Sequence, residues 1–153
     1  MSQNISDTIE NVICSALEEA AFVFVEVAET PPPFSGQVVE GTVEFQGPKS
    51  GSLVFSATAQ FGQDLAANFL GVDADDPDAA HGKLDALGEI LNIVSGAFLS
   101  ELFGAESDYK MSCPKLVEMT DEAHETHMDG AQTLVSFVTE EGYRIDAAVI
   151  DGI

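Results

Sequence analysis

The chain has 153 residues, 45% of them hydrophobic, so it is long enough and apolar enough to fold around a core of its own. It carries 27 acidic against 5 basic residues, a formal net charge of −22. Because phosphate backbones and anionic lipid headgroups are bound through Lys and Arg clusters, this charge excludes nucleic acids and membrane surfaces as expected partners.

No targeting segment is predicted. The first residues, MSQNISDT, contain no basic region, and the longest apolar run, residues 20–25, is far shorter than the roughly 20 residues that span a bilayer. The two cysteines, Cys14 and Cys113, are far apart and in no metal-binding or redox spacing, which predicts free thiols. We therefore expect a cytoplasmic protein with a single domain, residues 1–153.

The first third of the chain predicts a helix and then a β-hairpin. Apolar residues recur at helical spacing over Ile5–Ala20, which predicts an amphipathic helix ending near Phe22. The next segment, FVFVEVAE, fits either a strand or the end of that helix, and Pro31–Pro33 closes it in both cases. Two strands, Val38–Phe45 and Ser52–Ala59, are predicted on either side of QGPKSG, whose Gly and Pro residues favour a turn.

The rest of the chain predicts two helices and then three strands. A short helix, about Gly62–Leu70, stops at Gly71, and the acidic loop VDADDPDAAHG leads into a long helix, Leu84–Gly104. The strands are Lys115–Met119, Thr133–Thr139 and Tyr143–Ile150. The order is helix, strand, strand, helix, helix, strand, strand, strand. Such separate runs of helices and strands favour an α+β fold, with a largely antiparallel sheet covered by helices.

The long helix has two different faces. At about 100° per residue, its apolar residues from Leu84 to Leu102 fall on one side. A purely solvated opposite face would carry interchangeable Glu and Lys, but this one carries two acids, a carboxamide and a glycine. The pattern indicates a docking or catalytic surface. Its members are Asp85, Glu89, Asn92 and Gly96.

Three of these residues have side chains that could act together. Asp85 and Glu89 are four residues apart and Asn92 follows three later, so all three project to one side within two turns. A carboxylate can pair with a lysine, and a carboxamide both donates and accepts hydrogen bonds, which orienting a water molecule requires. The alternative is an ordinary exposed helix face, on which Glu is common and such spacing arises by chance. Spacing alone leaves both interpretations open.

The segment DALGEILN, from Asp85 to Asn92, resembles the signature of the CheC/CheX/FliY family of chemotaxis phosphatases. In that signature Asp or Ser is followed by Glu, then Asn and much later Pro. Asp85, Glu89 and Asn92 match in register, and Pro114 follows at nearly the family's distance. The preceding segment, SGSLVFSATAQFGQDLAANFLG, is similar to the family's strand and short helix. Because the first helix has no second Glu-x-x-Asn, the chain resembles the single-motif CheX-like branch, which implies one site per chain.

This resemblance implies a function. The family removes the phosphoryl group from the aspartyl phosphate of CheY-type response regulators in chemotaxis or two-component signalling. Glu89 would pair with the regulator's essential lysine, and Asn92 would orient the attacking water. The Mg²⁺ would be supplied by the regulator, so no cofactor of its own is expected, and a homodimer is implied because CheX-like proteins pair through their sheets. The alternative is a non-catalytic CheX-like docking or regulatory module.

Two glycines are included in the predicted partner-binding surface with Asp85. Each costs about 1 kcal/mol relative to Ala inside a helix, which favours a purpose for both. Gly96 lies on the displayed face and Gly88 borders it, where a missing side chain leaves room for a partner. For Gly88, the alternative is close packing against another element of the same fold.

Two other polar segments are interpreted as solvated loops. Asp121, His124 and His127 have ligand-type side chains, but the segment has no helical register and no HExxH pattern, so no metal site is predicted there. The acidic residues between Asp73 and Asp78 suit calcium at first sight, but Pro77 stands where an oxygen ligand is needed.

Overall fold

The computed structural model describes residues 4–104 and 106–150. Its helices are α1 (Ile5–Ala21), α2 (Ala59–Leu70), α3 (Pro77–His81), α4 (Lys83–Phe103) and α5 (Asp121–Met128). Its strands are β1 (Val25–Val27), β2 (Val38–Gln46), β3 (Gly51–Thr58), β4 (Lys110–Met111), β5 (Lys115–Met119), β6 (Thr133–Thr139) and β7 (Arg144–Ile150).

The strands form one antiparallel sheet in the order β1-β6-β7-β3-β2-β4, and β5 also pairs with β2. In the predicted hairpin, Val38 lies opposite Thr58 and Phe45 opposite Gly51, so both strands are confirmed to within one residue at their ends. The sheet and its helices confirm the predicted α+β class.

The main core lies between the sheet and helices α1, α2 and α4. Alternate strand residues face these helices, because successive side chains of a strand point to opposite sides of the sheet. Burying each large side chain contributes about 1.5–3 kcal/mol relative to leaving it exposed. The fully buried members include Leu17, Phe45, Leu53, Leu87, Leu91, Phe98 and Phe137.

The segment FVFVEVAE, which the sequence allowed as either a strand or the end of the first helix, contains a strand and lies outside the helix. Helix α1 ends at Ala21, and Phe22 takes a left-handed backbone with φ 55°, its N–H bonded to the carbonyl of Glu18 at 3.1 Å. Strand β1 follows, with Val25 opposite Thr139 of β6. The chain therefore turns at Phe22 and enters the sheet as an edge strand.

Residues 121–128 form helix α5, so their interpretation as a solvated loop was wrong. Thr120 Oγ1 accepts the N–H of Ala123 at 3.1 Å, and Asp121 and Glu122 occupy the first turn, where the helix dipole favours negative charge. Only two α5 residues, His124 and Met128, are buried, so no apolar periodicity marks the helix. The short elements α3 and β4 are likewise additions to the predicted order.

In the described ranges, α4 is the one helix long and apolar enough to cross a membrane by length and composition. Half of that stretch is buried inside the fold, against α1, α2 and the sheet. This is the environment of a core helix.

Candidate functional site

Helix α4, which carries the candidate residues, is unbroken from Lys83 to Phe103. The carbonyl of Gly82 accepts the N–H of Ala86 at 2.9 Å and begins the helix directly after α3. At the other end, Gly104 has φ 89° and donates its N–H to the carbonyl oxygen of Ser100 at 3.0 Å. The site is therefore built on a rigid element rather than on a loop.

Helix α4 packs closely against α2 and the sheet at two glycines. A Cβ at Gly62 of α2 would lie 2.7 Å from Cδ1 of Leu87, and a Cβ at Gly41 of β2 would lie 2.8 Å from Cδ2 of Leu91. Real Cβ atoms essentially never come within 3.0 Å of such neighbours. A side chain at either position would therefore force the buried leucine, or α4 itself, to shift.

With the buried side fixed, the predicted polar residues lie on the outside. Asp85, Glu89 and Asn92 are all exposed, and side chains three or four residues apart have Cβ atoms about 5–6 Å apart. Within residues 4–104 and 106–150, none of the three side chains forms a hydrogen bond or an ion pair. All three are therefore available to a partner.

The two glycines of the helix have different environments. A Cβ at Gly96 would meet nothing within 4 Å, so its face is open. Gly88 is buried, and a Cβ there would lie 3.3 Å from Cδ1 of Leu116 in β5. The assignment of Gly88 to the partner surface is therefore corrected: the missing side chain lets β5 pack closely against α4.

Strand β5 forms one flank of the candidate site. Pro114, the last residue of the sequence signature, is half-buried and directly precedes β5. Asn92 follows Gly88 by one turn and so lies on the side of the helix that faces this strand. Lys83 Nζ, at the start of α4, pairs with Glu118 Oε1 of β5 at 3.3 Å, which ties strand and helix together.

The other flank is an apolar groove of about 500 Å³. We call it the α2–α4 groove; it is lined by Ala20, Ala66, Phe69, Leu70, Gly82, Asp85, Ala86, Glu89 and Ile93. Three of its large apolar side chains are exposed, Phe69 by 42%, Leu70 by 55% and Ile93 by 38%. Sequence reasoning did not identify these residues. The signal was Ile93, an apolar residue on the polar side of the helix four positions after Glu89.

A second polar cluster lies across the sheet from α4. His124 of α5 is 0% exposed, and its Nδ1 donates to Glu40 Oε2 at 2.8 Å while its Nε2 donates to Asp146 Oδ2 at 2.9 Å. Arg144 Nε also donates to Asp146, at 3.0 Å, and His127 Nδ1 bonds to Glu40. These contacts hold α5 on the sheet and give it a structural role.

The imidazole of His124 and the carboxylates of Glu40 and Asp146 stabilise one another in their charged forms. Burial alone would lower the pKa of His124, but hydrogen bonds and charge from Asp146 and Glu40 outweigh it and raise that pKa to about 9. Burial alone would raise the pKa of Glu40 and of Asp146, but the hydrogen bonds to His124 and its neighbours hold both below their usual values. His124 is therefore an imidazolium between two carboxylates at neutral pH.

In the described part of the chain, no three His, Cys, Asp or Glu side chains converge to hold a metal ion. Cys14 is half-buried and Cys113 is exposed, and both are free, as the spacing predicted.

The family model of the chemotaxis phosphatase CheX matches residues 39–139, more than half of the chain. A chain of the CheX–CheY–BeF3–Mg²⁺ complex from Borrelia burgdorferi has a TM-score of 0.70 at 19% identity, over 97% of this chain and 99% of that chain. A chemotaxis protein from Desulfovibrio vulgaris Hildenborough has a TM-score of 0.69 at 18% identity, over 97% and 96%. FliY from Thermotoga maritima has a TM-score of 0.63 at 20% identity, over 99% and 91%.

No curated protein sequence matches the chain. The family model covers β2 from its second residue onward, on which α4 packs, and the whole of α4 with its outward Glu89 and Asn92. The chain therefore belongs to the chemotaxis phosphatase CheX family.

Proposed function

We propose that this protein dephosphorylates the aspartyl phosphate of a CheY-type response regulator. The observation that carries the proposal is the pair Glu89 and Asn92, exposed together on one unbroken helix with neither side chain engaged within the described fold. Hydrolysis of an acyl phosphate needs a water in line with the bond that breaks, and stabilisation of the developing charge. It does not need a nucleophile from this chain.

Each residue has a defined task in this proposal. The carboxylate of Glu89 pairs with the regulator's lysine and sets the depth and angle at which α4 approaches. The carboxamide of Asn92 then accepts a hydrogen bond from the attacking water and aims its oxygen at the phosphorus. Because Glu89 and Asn92 are three residues apart on a helix, docking one positions the other.

The metal belongs to the partner in this proposal. The Borrelia burgdorferi complex contains CheX and CheY together with BeF3 and Mg²⁺, which supports both a receiver-domain partner and a magnesium ion that arrives with it. When bound, Mg²⁺ neutralises charge on the phosphoryl oxygens.

We also propose that the protein works in the cytoplasm, where its partner is phosphorylated, and as a homodimer that pairs through its sheet. Val27 of β1 and Val117 of β5 are exposed on the outer strands, which supports pairing at a sheet edge. Light scattering distinguishes a dimer from a monomer.

The function is tested by phosphate release. Each CheY-type receiver domain encoded in the same genome is phosphorylated with a small-molecule phosphodonor, and its dephosphorylation is followed with and without this protein. We expect Asn92→Ala to lower kcat about 100-fold, because the water is no longer positioned. The matched control is Asn11→Ala, an exposed asparagine on α1 that leaves the rate unchanged.

An unaltered rate in Asn92→Ala, or no acceleration of any receiver domain by the wild type, would contradict the proposed function. Binding of a receiver domain without acceleration would instead identify the non-catalytic docking module.

A further inference from the structure

The α2–α4 groove lies directly beside the proposed catalytic residues, and Glu89 is part of its wall. We propose that this groove receives an apolar side chain of the same receiver domain, next to the lysine that pairs with Glu89. This inference rests on the proposed function and adds the surface that sets affinity for the partner.

The exposure of the groove is unusual for so acidic a chain. Its formal net charge of −22 keeps the surface well hydrated, yet Phe69, Leu70 and Ile93 all remain partly exposed around one concavity. Apolar residues that line a groove with a polar rim are typical of interaction sites, whereas single exposed ones need no explanation. Burying such side chains in a complex supplies much of the binding free energy.

The charge of the groove lining indicates which kind of segment can bind there. The only ionisable residues in the lining are Asp85 and Glu89, both acidic, and neither forms an ion pair within residues 4–104 and 106–150. A segment that fits must present an apolar side chain beside a cation, which matches a receiver surface next to its lysine. A second copy of this chain fits this acidic rim poorly, because it has only 5 basic residues with which to place a cation beside Asp85 and Glu89, and its proposed dimer contact is at the sheet edge instead.

The groove and the catalytic pair should affect different kinetic constants. Contacts in the groove do not change as the phosphoryl group is transferred, so they stabilise the bound substrate and the transition state equally. Losing them raises KM and leaves kcat unchanged, whereas losing Asn92 lowers kcat.

The test uses the double variant Phe69→Gln/Ile93→Gln, with Leu70→Gln as a second, more exposed substitution. The matched control is Leu134→Gln: Leu134 is 42% exposed, as Phe69 is, but it faces the side of the sheet that carries α5. Phosphate release from the phosphorylated receiver domain gives kcat and KM, and titration with the beryllofluoride-activated receiver gives Kd. We expect the double variant to raise KM and Kd about tenfold at unchanged kcat, and the control to change neither.

An unchanged KM in both groove variants overturns the inference. If Asn92→Ala still lowers kcat in the same experiment, the proposed function survives without the groove; if it does not, both fail. A groove variant that alters only the oligomeric state also overturns the inference, because a second copy is then the occupant.

Discussion

Leu91 of α4 rests on Gly41 of β2, and the residue that follows it, Asn92, projects from the exposed side of the same helix. A Cβ at position 41 would also lie 3.4 Å from the carbonyl oxygen of Phe55 and 3.4 Å from Leu116 Cδ2. The helix is therefore closely packed on a glycine of the sheet one residue before the proposed catalytic side chain.

Gly41→Ala is expected to lower the free energy of unfolding by about 1–3 kcal/mol, because the added methyl group overpacks a site that is already filled. Denaturant unfolding measures the change. Phosphatase activity at a temperature where the variant is folded should also fall if α4 takes up the strain by moving away from the sheet. Full stability together with full activity would show that Leu91 can move aside without displacing the helix.

Gly96→Ala is expected to act in the opposite direction on stability. A Cβ there meets nothing within 4 Å, so the variant should gain about 1 kcal/mol in unfolding free energy from helix propensity alone. If Gly96 gives the partner room to approach, KM for the phosphorylated receiver rises at the same time. A more stable variant with unaltered KM would remove Gly96 from the partner surface.

Glu89→Gln keeps the size of the side chain and removes its charge. We expect kcat/KM for the phosphorylated receiver to fall about 10- to 100-fold, because a charge-assisted contact with the lysine is lost. Glu101→Gln, an exposed acid three turns later on the same helix, controls for the change in net charge. Equal kinetics for the two variants would count against a docking role for Glu89.

The buried cluster predicts how stability depends on pH. The pKa of His124 is raised from 6.5 to about 9 in the folded protein, so its contribution is complete below about pH 6.5 and is lost as the pH rises through 9. A shift of this size corresponds to about 3 kcal/mol. At the acidic end, the lowered pKa values of Glu40 and Asp146 act with the opposite sign, and their contribution is lost as the pH falls.

Urea unfolding between pH 6 and pH 10 measures the expected loss of unfolding free energy at alkaline pH. His124→Gln should remove most of the pH dependence and lower stability at pH 6, because two carboxylates then lose a buried partner. His81→Gln, an exposed histidine on α3, should keep the wild-type profile. A His124→Gln profile parallel to that of the wild type would show that other groups cause the loss.

The outward placement of Asp85, Glu89 and Asn92 could be predicted from the sequence, because the large apolar residues of α4 recur at helical spacing and pack on α1, α2 and the sheet. The environment of Gly88 could not be predicted in this way. Whether a missing side chain serves a partner or a neighbouring strand depends on where β5 lies, which follows from the register of β5 on β2.

Helix α5, in contrast, could not be predicted from the sequence. Its attachment to the sheet depends on Glu40 and Asp146, which are far from His124 in the chain, so no local pattern reveals that this histidine is buried. The local signal that did exist was the capping residue Thr120 followed by two acids. The α2–α4 groove could not be predicted for the same reason: its walls come from separate helices, and no local sequence pattern shows that they meet.

The placement of the two thiols offers a way to observe docking directly. Cys113 is exposed and precedes Pro114 at the β5 flank of the candidate site, whereas burial, together with Glu10 and Glu18, raises the pKa of Cys14 and slows its reaction. A maleimide fluorophore should therefore label position 113 selectively in the unaltered protein. Its emission would then report the arrival and departure of a receiver domain in real time, with no engineered attachment point.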